Sequence, residues 1–454
     1  MKPTGGLLVV LVLCASGCAG ASSHAAVDTA AAAPVLADKP CVLLISIDTQ
    51  RADGVGAYGS ERATTPFIDS LAAEGIVFTR GYSTSAWTVP ALASMLSSSL
   101  PEQHGMHQRA LPDGLRWTVL GDALPSIAEE FQKNGYRTFG LTANFGLPAD
   151  RGFGRGFDRY RCVGAAGVEG LRPVLDEWLP DIRAAERWFV WLHLFDPHAP
   201  YEAREPWIGQ LWKGPRFADL ENMAVNAYTE RAPKLGEARM DYIRALYDSE
   251  IRHADAYVRR VYRSLPQAKD AIVLYTADHG EEFLEHSGTG HGHTLYEELV
   301  RVPFILRLPG GRFGGTRLEA PVSLIDVLPT LLGVAGLEVP PNAMGLNLIG
   351  PDGPTVPDGR VVVAQLESQR TLRAVTDGRW KWIQDGTDPQ LGELYDLEAD
   401  PGERRESRSA APETVTRLAA LLRETLQARP SALGSTTPIS PEQLEALKAL
   451  GYAK

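Results

Sequence analysis

Cysteine is scarce in this chain, and its scarcity removes several readings at once. Four occur in 454 residues, Cys14, Cys18, Cys41 and Cys162. Neither Cys41 nor Cys162 has the spacing that metal-binding cysteines need, and four cysteines are too few for a disulfide-dense scaffold. Blocks of basic residues are also missing, and the net charge is -11. That argues against nucleic acid as a partner, although a bound metal would still admit an anionic substrate. Past the N-terminus no apolar run is long enough to cross a bilayer. Internal repeats are absent too, which sets solenoids and propellers aside.

What is present begins with an address. Lys2 precedes the apolar run Leu7 to Leu13 and then Ala15-Ser16-Gly17-Cys18. A short apolar core followed by small residues reads as a secretory signal. Small residues leading into a cysteine resemble a bacterial lipoprotein signal, which makes residues 1–17 the signal peptide and Cys18 the lipidated first residue. Ala15 stands where leucine is usual. Residues 18–38, rich in Ala and Ser, read as a flexible tether. The expectation is an exported protein of the cell envelope, held to a bacterial membrane by its N-terminal lipid only. Cys41 and Cys162 read as structural residues that could pair only if the fold brings them together.

The body alternates short β-branched runs with helical patterns. Val42 to Ile47, Tyr136 to Thr142, Trp188 to Leu194, Ala271 to Thr276 and Val302 to Leu308 read as strands, most of them apolar throughout and therefore buried on both faces. Pro125 to Asn134, Ile68 to Glu74 and Met240 to Leu265 read as helices, the last with Ile243, Leu246, Tyr247, Ile251 and Tyr257 on one side. Such alternation favours an α/β fold with a mixed, mostly parallel sheet and helices on both faces. The catalytic domain is expected over 39–350. Pro351 to Gly359 reads as a connection to a small C-terminal α+β subdomain, 351–454. There Val361 to Leu366, Thr371 to Thr376 and Trp380 to Ile383 suit an antiparallel sheet. Thr414 to Gln427 is a helix, and Ser440-Pro441-Glu442 starts another.

Ligands of α/β sheets collect beyond the carboxyl ends of the strands, where Asp48, His193 and Asp278 stand. Two carboxylates, an imidazole and a hydroxyl suit one divalent metal. The hydroxyl in question is Thr88, in Ser85-Ala86-Trp87-Thr88-Val89-Pro90. With Pro90 two residues on, Thr88 falls at the first turn of a helix, where backbone N–H groups and the dipole favour an anion.

Asp48-Thr49-Gln50-Arg51-Ala52-Asp53 and Thr65-Pro66-Phe67-Ile68-Asp69 resemble the sulfatase family of the alkaline phosphatase superfamily. The likeness continues through Thr88-Val89-Pro90, Phe195-Asp196-Pro197-His198-Ala199-Pro200-Tyr201, and Tyr247, Glu250 and Asp255. It runs on in Asp278-His279-Gly280-Glu281, Gly292-His293-Thr294-Leu295-Tyr296-Glu297-Glu298 and Glu393-Leu394-Tyr395-Asp396-Leu397, covering roughly residues 40 to 454. The order and number of these motifs carry the signal, not any one of them. The resemblance implies an alkaline-phosphatase-like sandwich. It implies one divalent ion held by Asp48, Thr88, Asp278 and His279, with Thr88 as nucleophile, and a catalytic or substrate-contacting role for His198. His291, twelve residues after His279, resembles a substrate-contacting histidine of phosphoethanolamine and phosphoglycerol transferases. His293 and Asn144 are further candidates for the substrate pocket. His193 reads instead as a buried strand residue. Arg51 either neutralises substrate charge or pairs with Asp53 or another acid. Asp196, His198 and His291 could form a second metal site.

Two departures narrow the chemistry. Sulfatases that use formylglycine need Cys or Ser at position 88 and Arg four residues later; here they are Thr88 and Leu92. Threonine cannot give the aldehyde. Thr49 stands where sulfatases usually carry another metal-binding Asp. The resulting Asp, Thr, Asp and His set resembles the threonine-nucleophile phosphoester branch. The expected substrate is an anionic ester of a small molecule, glycan or lipid, phosphate favoured over sulfate. Zn²⁺ or Mn²⁺ is expected ahead of Ca²⁺ or Mg²⁺, given a histidine ligand. The other readings are a sulfatase acting without formylglycine, a phosphoethanolamine or phosphoglycerol transferase, and a non-catalytic anion-binding relative.

Overall fold

Strand β1, Val42–Ile47, is buried along its whole length. That burial follows from its composition, because an all-apolar run must be covered on both faces. The computed structural model describes residues 39–106, 116–368, 370–388, 390–427 and 434–449. The proposed signal peptide, Cys18 and the tether lie outside these residues.

β1 sits near the middle of an eight-stranded sheet. The other strands are β2 (Ile76–Phe78), β3 (Arg137–Thr142), β4 (Arg159–Cys162), β5 (Trp188–Leu194), β6 (Ile272–Ala277), β7 (Phe304–Arg307) and β8 (Arg317–Leu318). Their order is β8-β2-β7-β6-β1-β5-β3-β4. The run from β6 to β4 is parallel throughout, and β7 is antiparallel to both β6 and β2. The expected mixed, mostly parallel sheet is therefore present, as an alkaline-phosphatase-like sandwich.

Strand alternation sorts the core into two layers. Val42, Leu44, Phe189, Trp191, Ile272 and Leu274 face one side, covered by α2 (Thr88–Ser97), α3 (Ile127–Lys133) and α6 (Val327–Val334). Leu43, Ile45, Ile47, Val190, Leu192 and Val273 face the other, under α1 (Pro66–Ala73), α4 (Gly167–Ala184) and α5 (Glu237–Ser264). α3 begins where Ser126 Oγ accepts from Glu129 N. The buried Asp255 on α5 accepts from Phe67 N and Ile68 N, tying α5 to the start of α1.

Four antiparallel strands follow: β9 (Val362–Glu367), β10 (Thr371–Thr376), β11 (Trp380–Asp385) and β12 (Gly392–Asp396). Helix α7, Pro412–Gln427, lays Leu418 and Leu422 on Val363, Val375, Trp382 and Leu394. Ser440 caps the last helix through Gln443 N, and the Gln443 side chain returns to Ser440 N.

Two expectations are corrected in detail. The strand expected over Val302 to Leu308 breaks at Pro303, which has no N–H for a ladder; Arg301–Val302 joins a separate small sheet and Phe304–Arg307 stays in the main one. α4 was not anticipated, because Pro173 and Pro180 lie inside it and proline argues against a helix interior. Burial of Leu171, Leu175 and Ile182 against the sheet outweighs that cost.

Candidate active site

Parallel strands that end together deliver their next residues to one edge. Asp48 follows β1, with its N–H on Leu194 O at 2.9 Å, and Asp278 follows β6, with its N–H on Ile47 O at 3.2 Å. Thr88 is the first residue of α2, on the sheet face that β1 presents through Val42 and Leu44. Asp48, Asp278 and His279 are fully buried and Thr88 nearly so.

The ligand atoms converge. His279 Nε2 lies 3.7 Å from Asp48 Oδ1 and 3.6 Å from Asp278 Oδ2. Thr88 Oγ1 is 3.5 Å from Asp48 Oδ2 and 3.4 Å from His279 Nε2. Ligands about 2.1 Å from one tetrahedral ion stand roughly 3.4 Å apart, so these spacings fit a shared divalent cation. Polar accounting agrees. Asp278 Oδ1 accepts from Thr49 N and His279 N, whereas Asp278 Oδ2 and Asp48 Oδ1 are buried with no hydrogen-bond partner. Leaving two carboxylate oxygens bare in a protein interior is costly, and a cation satisfies both. His279 Nδ1 pairs with Gly280 O at 2.8 Å, which puts the lone pair of the neutral ring on Nε2.

Charge in the site is divided. Burial raises the Asp48 carboxyl, but the adjacent His193, 3.6 Å away, and the nearby His198 and His279 outweigh burial and hold it below the ordinary carboxylate range. Asp278 goes the other way, raised first by burial and then by repulsion from Asp48. Two adjacent carboxylates resist ionising together unless a cation sits between them.

Backbone geometry fixes the entry to the site. Thr49 has φ 54, a left-handed conformation strained for a β-branched residue. It directs Thr49 N to Asp278 and its carbonyl to the Tyr247 hydroxyl at 2.8 Å. At Gly280 a Cβ would collide with the Glu298 carbonyl, so the turn after His279 admits only glycine.

Around this centre stand further histidines. The His291 ring lies 4.4 Å from that of His279 and 5.0 Å from that of His198. His291 Nδ1 is held by Glu281 Oε1 at 2.8 Å, and Glu281 Oε2 accepts from the Tyr201 hydroxyl at 2.9 Å. His198 Nδ1 pairs with Ala199 O. His198, His279 and His291 thus form one cluster. His293 joins a different set, with Nε2 on Glu282 Oε2 at 2.6 Å. Asn144 lies beside the metal-capable group: its Nδ2 donates to Asp48 Oδ2 at 2.7 Å and lies 3.5 Å from Thr88 Oγ1. His193 is the buried strand residue expected, yet its Nε2 is only 3.6 Å from Asp48 Oδ2. Arg51 pairs with Asp53 and Glu285, the structural alternative of the two weighed.

The second metal site considered for Asp196, His198 and His291 is not formed. Asp196 instead pairs with Arg204 at 3.0 Å and accepts from Val168 N at the start of α4. Among the described residues the other group able to hold a metal is Glu282, His286 and Glu298. Sequence reading missed it, and also missed Glu281 and Tyr201 as supports; the only signal was their place in motifs read for other residues. Cys41 and Cys162 are both free thiols.

An acidic and histidine cluster beside a helix-start hydroxyl, on the carboxyl edge of this sheet, defines an ester hydrolase of the alkaline-phosphatase-like fold. The chain belongs to the sulfatase family, whose model matches residues 40–337. It is 26% identical over 424 residues to a Delta 4,5-hexuronate-2-O-sulfatase of Bacteroides thetaiotaomicron, covering 81% of this chain and 84% of that one. It is 24% identical to arylsulfatase K of Rattus norvegicus, covering 86% and 78%. Among solved structures, a 2-O GAG sulfatase shares the fold at TM-score 0.68 and 22% identity, over 86% of this chain and 92% of that one. The phosphonate monoester hydrolase of Agrobacterium radiobacter does so at TM-score 0.65 and 22% identity, over 86% and 95%.

Proposed function

We propose that this protein is a divalent-metal-dependent hydrolase of phosphate esters that uses Thr88 as its nucleophile. The observation carrying this reading is that Thr88 Oγ1 stands 3.4 Å from His279 Nε2 and 3.5 Å from Asp48 Oδ2, at the start of α2. Asp48, Asp278 and His279 would hold the cation, with Zn²⁺ or Mn²⁺ favoured. When bound, it acidifies the neighbouring hydroxyl and offsets charge on the ester oxygens.

Thr88 Oγ, its proton passed to water, attacks phosphorus in line; the P–O bond to the alcohol breaks, and the alcohol leaves with a proton supplied by His198 or His291. The product is phosphothreonine, which water hydrolyses to release phosphate and restore the hydroxyl. The start of α2 supplies backbone N–H groups and a positive dipole end near the developing charge. Glu281 and Tyr201 orient His291, and Asn144 orients Asp48. Leu92, buried one turn after Thr88, removes the arginine expected beside formylglycine. A sulfothreonine would lack the aldehyde-hydrate route of release, which is why phosphate is favoured.

Hydrolysis of sulfate esters is the second reading, supported by the sulfatase names of the relatives. A panel of aryl phosphate monoesters, phosphate diesters and sulfates, assayed with wild type and Thr88→Ala after metal loading, separates the two. Phosphoesterase activity lost with Thr88→Ala and with chelation is expected. Sulfatase activity that survives Thr88→Ala contradicts the mechanism. The export signal further suggests that the enzyme works in the cell envelope, tethered through lipid on Cys18.

A further inference from the structure

His193 is fully buried on β5, but its surroundings are too polar for packing to be its whole role. Strand parity explains why. Val42 and Leu44 of β1 and Phe189 and Trp191 of β5 face the layer that contains α2. Two-residue steps carry Ser46, Asp48 and His193 to the same side. The parallel register pairs Ser46 with His193 directly.

Hydrogen-bond accounting then fixes a tautomer. Trp191 Nε1 is only a donor, and it donates to Ser46 Oγ at 3.0 Å. Ser46 is fully buried and still has its own proton to place. Its other side-chain partner among the described residues is His193 Nδ1, at 2.9 Å. If Nδ1 also carried a proton, the Ser46 hydroxyl hydrogen would be buried and unpaired, which is costly in a protein interior. Nδ1 therefore accepts, and the proton of the neutral ring sits on Nε2. His193 Nε2 is buried with no hydrogen-bond partner and lies 3.6 Å from Asp48 Oδ2. Asn144 Nδ2 donates to that same oxygen at 2.7 Å. Asp48 Oδ2 is thus approached by Asn144, Thr88 and His193, whereas Oδ1 has no hydrogen-bond partner.

We propose that His193 is a positioning residue for Asp48: its Nε2–H, oriented by Trp191 through Ser46, works with Asn144 to occupy Oδ2 and reserve Oδ1 for a divalent cation. The inference rests on the reading of Asp48 as a metal ligand. It assigns His193 the role of a donor, in contrast to that of a further ligand, which would need the opposite tautomer and strand the Ser46 proton.

The test uses the full chain and Zn²⁺ alone, measured by chelator competition, together with ¹⁵N histidine NMR. His193→Leu is expected to weaken Zn²⁺ binding about 10- to 100-fold. His193→Gln, whose amide can accept from Ser46 and donate to Asp48, should recover most of that loss. Ser46→Ala should weaken binding by a smaller factor. In wild type the His193 signal, assigned by its absence from the glutamine variant, should show a protonated Nε2 before and after Zn²⁺ is added. Wild-type affinity in His193→Leu, or an Nε2 that loses its proton to Zn²⁺, overturns the inference. Should the leucine variant not fold, the wild-type tautomer decides. Failure of wild type to bind Zn²⁺ or Mn²⁺ at all is distinguishable, because it removes the reading of Asp48 itself.

Discussion

At residue 88 one hydroxyl meets a carboxylate, an imidazole and an amide within 3.5 Å. Removing that hydroxyl while keeping the Asp48, Asp278 and His279 ligands should separate chemistry from metal binding. Thr88→Ala is therefore expected to lower kcat by about 10³-fold or more, with bound metal retained in elemental analysis. His291→Gln should lower kcat by roughly 10²-fold through loss of proton transfer or charge stabilisation, read from steady-state kinetics on an aryl phosphate. Much at this scale was legible. Asp48, Thr88, Asp278 and His279 are residue types with few uses together, and strand ends gave them a common edge. His193 was not, because an apolar run conceals a histidine whose partners come from the neighbouring strand. His293, a candidate for the substrate pocket, is held by Glu282, a contact that no local pattern announces.

Between elements, a buried charge group braces β11 against the segment that follows the histidine loop. Lys381 Nζ lies 3.0 Å from both Glu297 and Glu403, and Glu403 Oε2 accepts from Glu297 N. Lys381→Met would leave the buried Glu403 facing the half-buried Glu297 with no cation between them, and should destabilise by about 3–5 kcal/mol in denaturant unfolding. Burial, and after it repulsion from Glu297, push Glu403 up to about 7 despite Lys381. The folded state therefore binds this proton more tightly than the unfolded chain, whose value is near ~4.3. Stability from this group is full below that value and is lost as pH rises to about 7, with a slope of at most about 1.4 kcal/mol per pH unit. Glu403→Gln should flatten that fall in thermal melts between pH 5 and 7. The brace is three residues from distant segments, and no local pattern encodes it. α4 was hidden for the opposite reason, since its prolines speak locally against the helix that tertiary packing enforces.

Over the whole molecule, the alternation of apolar strands with amphipathic helices was enough to predict a mixed sheet with two helical layers, because each of the long strands is covered on both faces. Edge pieces such as β8, two residues long, carry no comparable pattern. The metal-capable cluster lies between β1, β6 and α2, so ligand removal should be felt by the fold. Treatment with a chelator is expected to lower Tm, and a cation at a hundred times its Kd should restore about 2.7 kcal/mol. The proposed lipid anchor on Cys18 predicts that wild type fractionates with the membrane and Cys18→Ala with the soluble fraction; the same distribution for both would contradict it. The central claim is that Thr88 becomes covalently phosphorylated during turnover. Acid quenching of the metal-loaded enzyme with a ³²P-labelled phosphate ester, followed by peptide mapping, tests it most directly. Label on Thr88, absent in Thr88→Ala, is the predicted result; steady turnover with no label on Thr88, or with label on another residue, would contradict it.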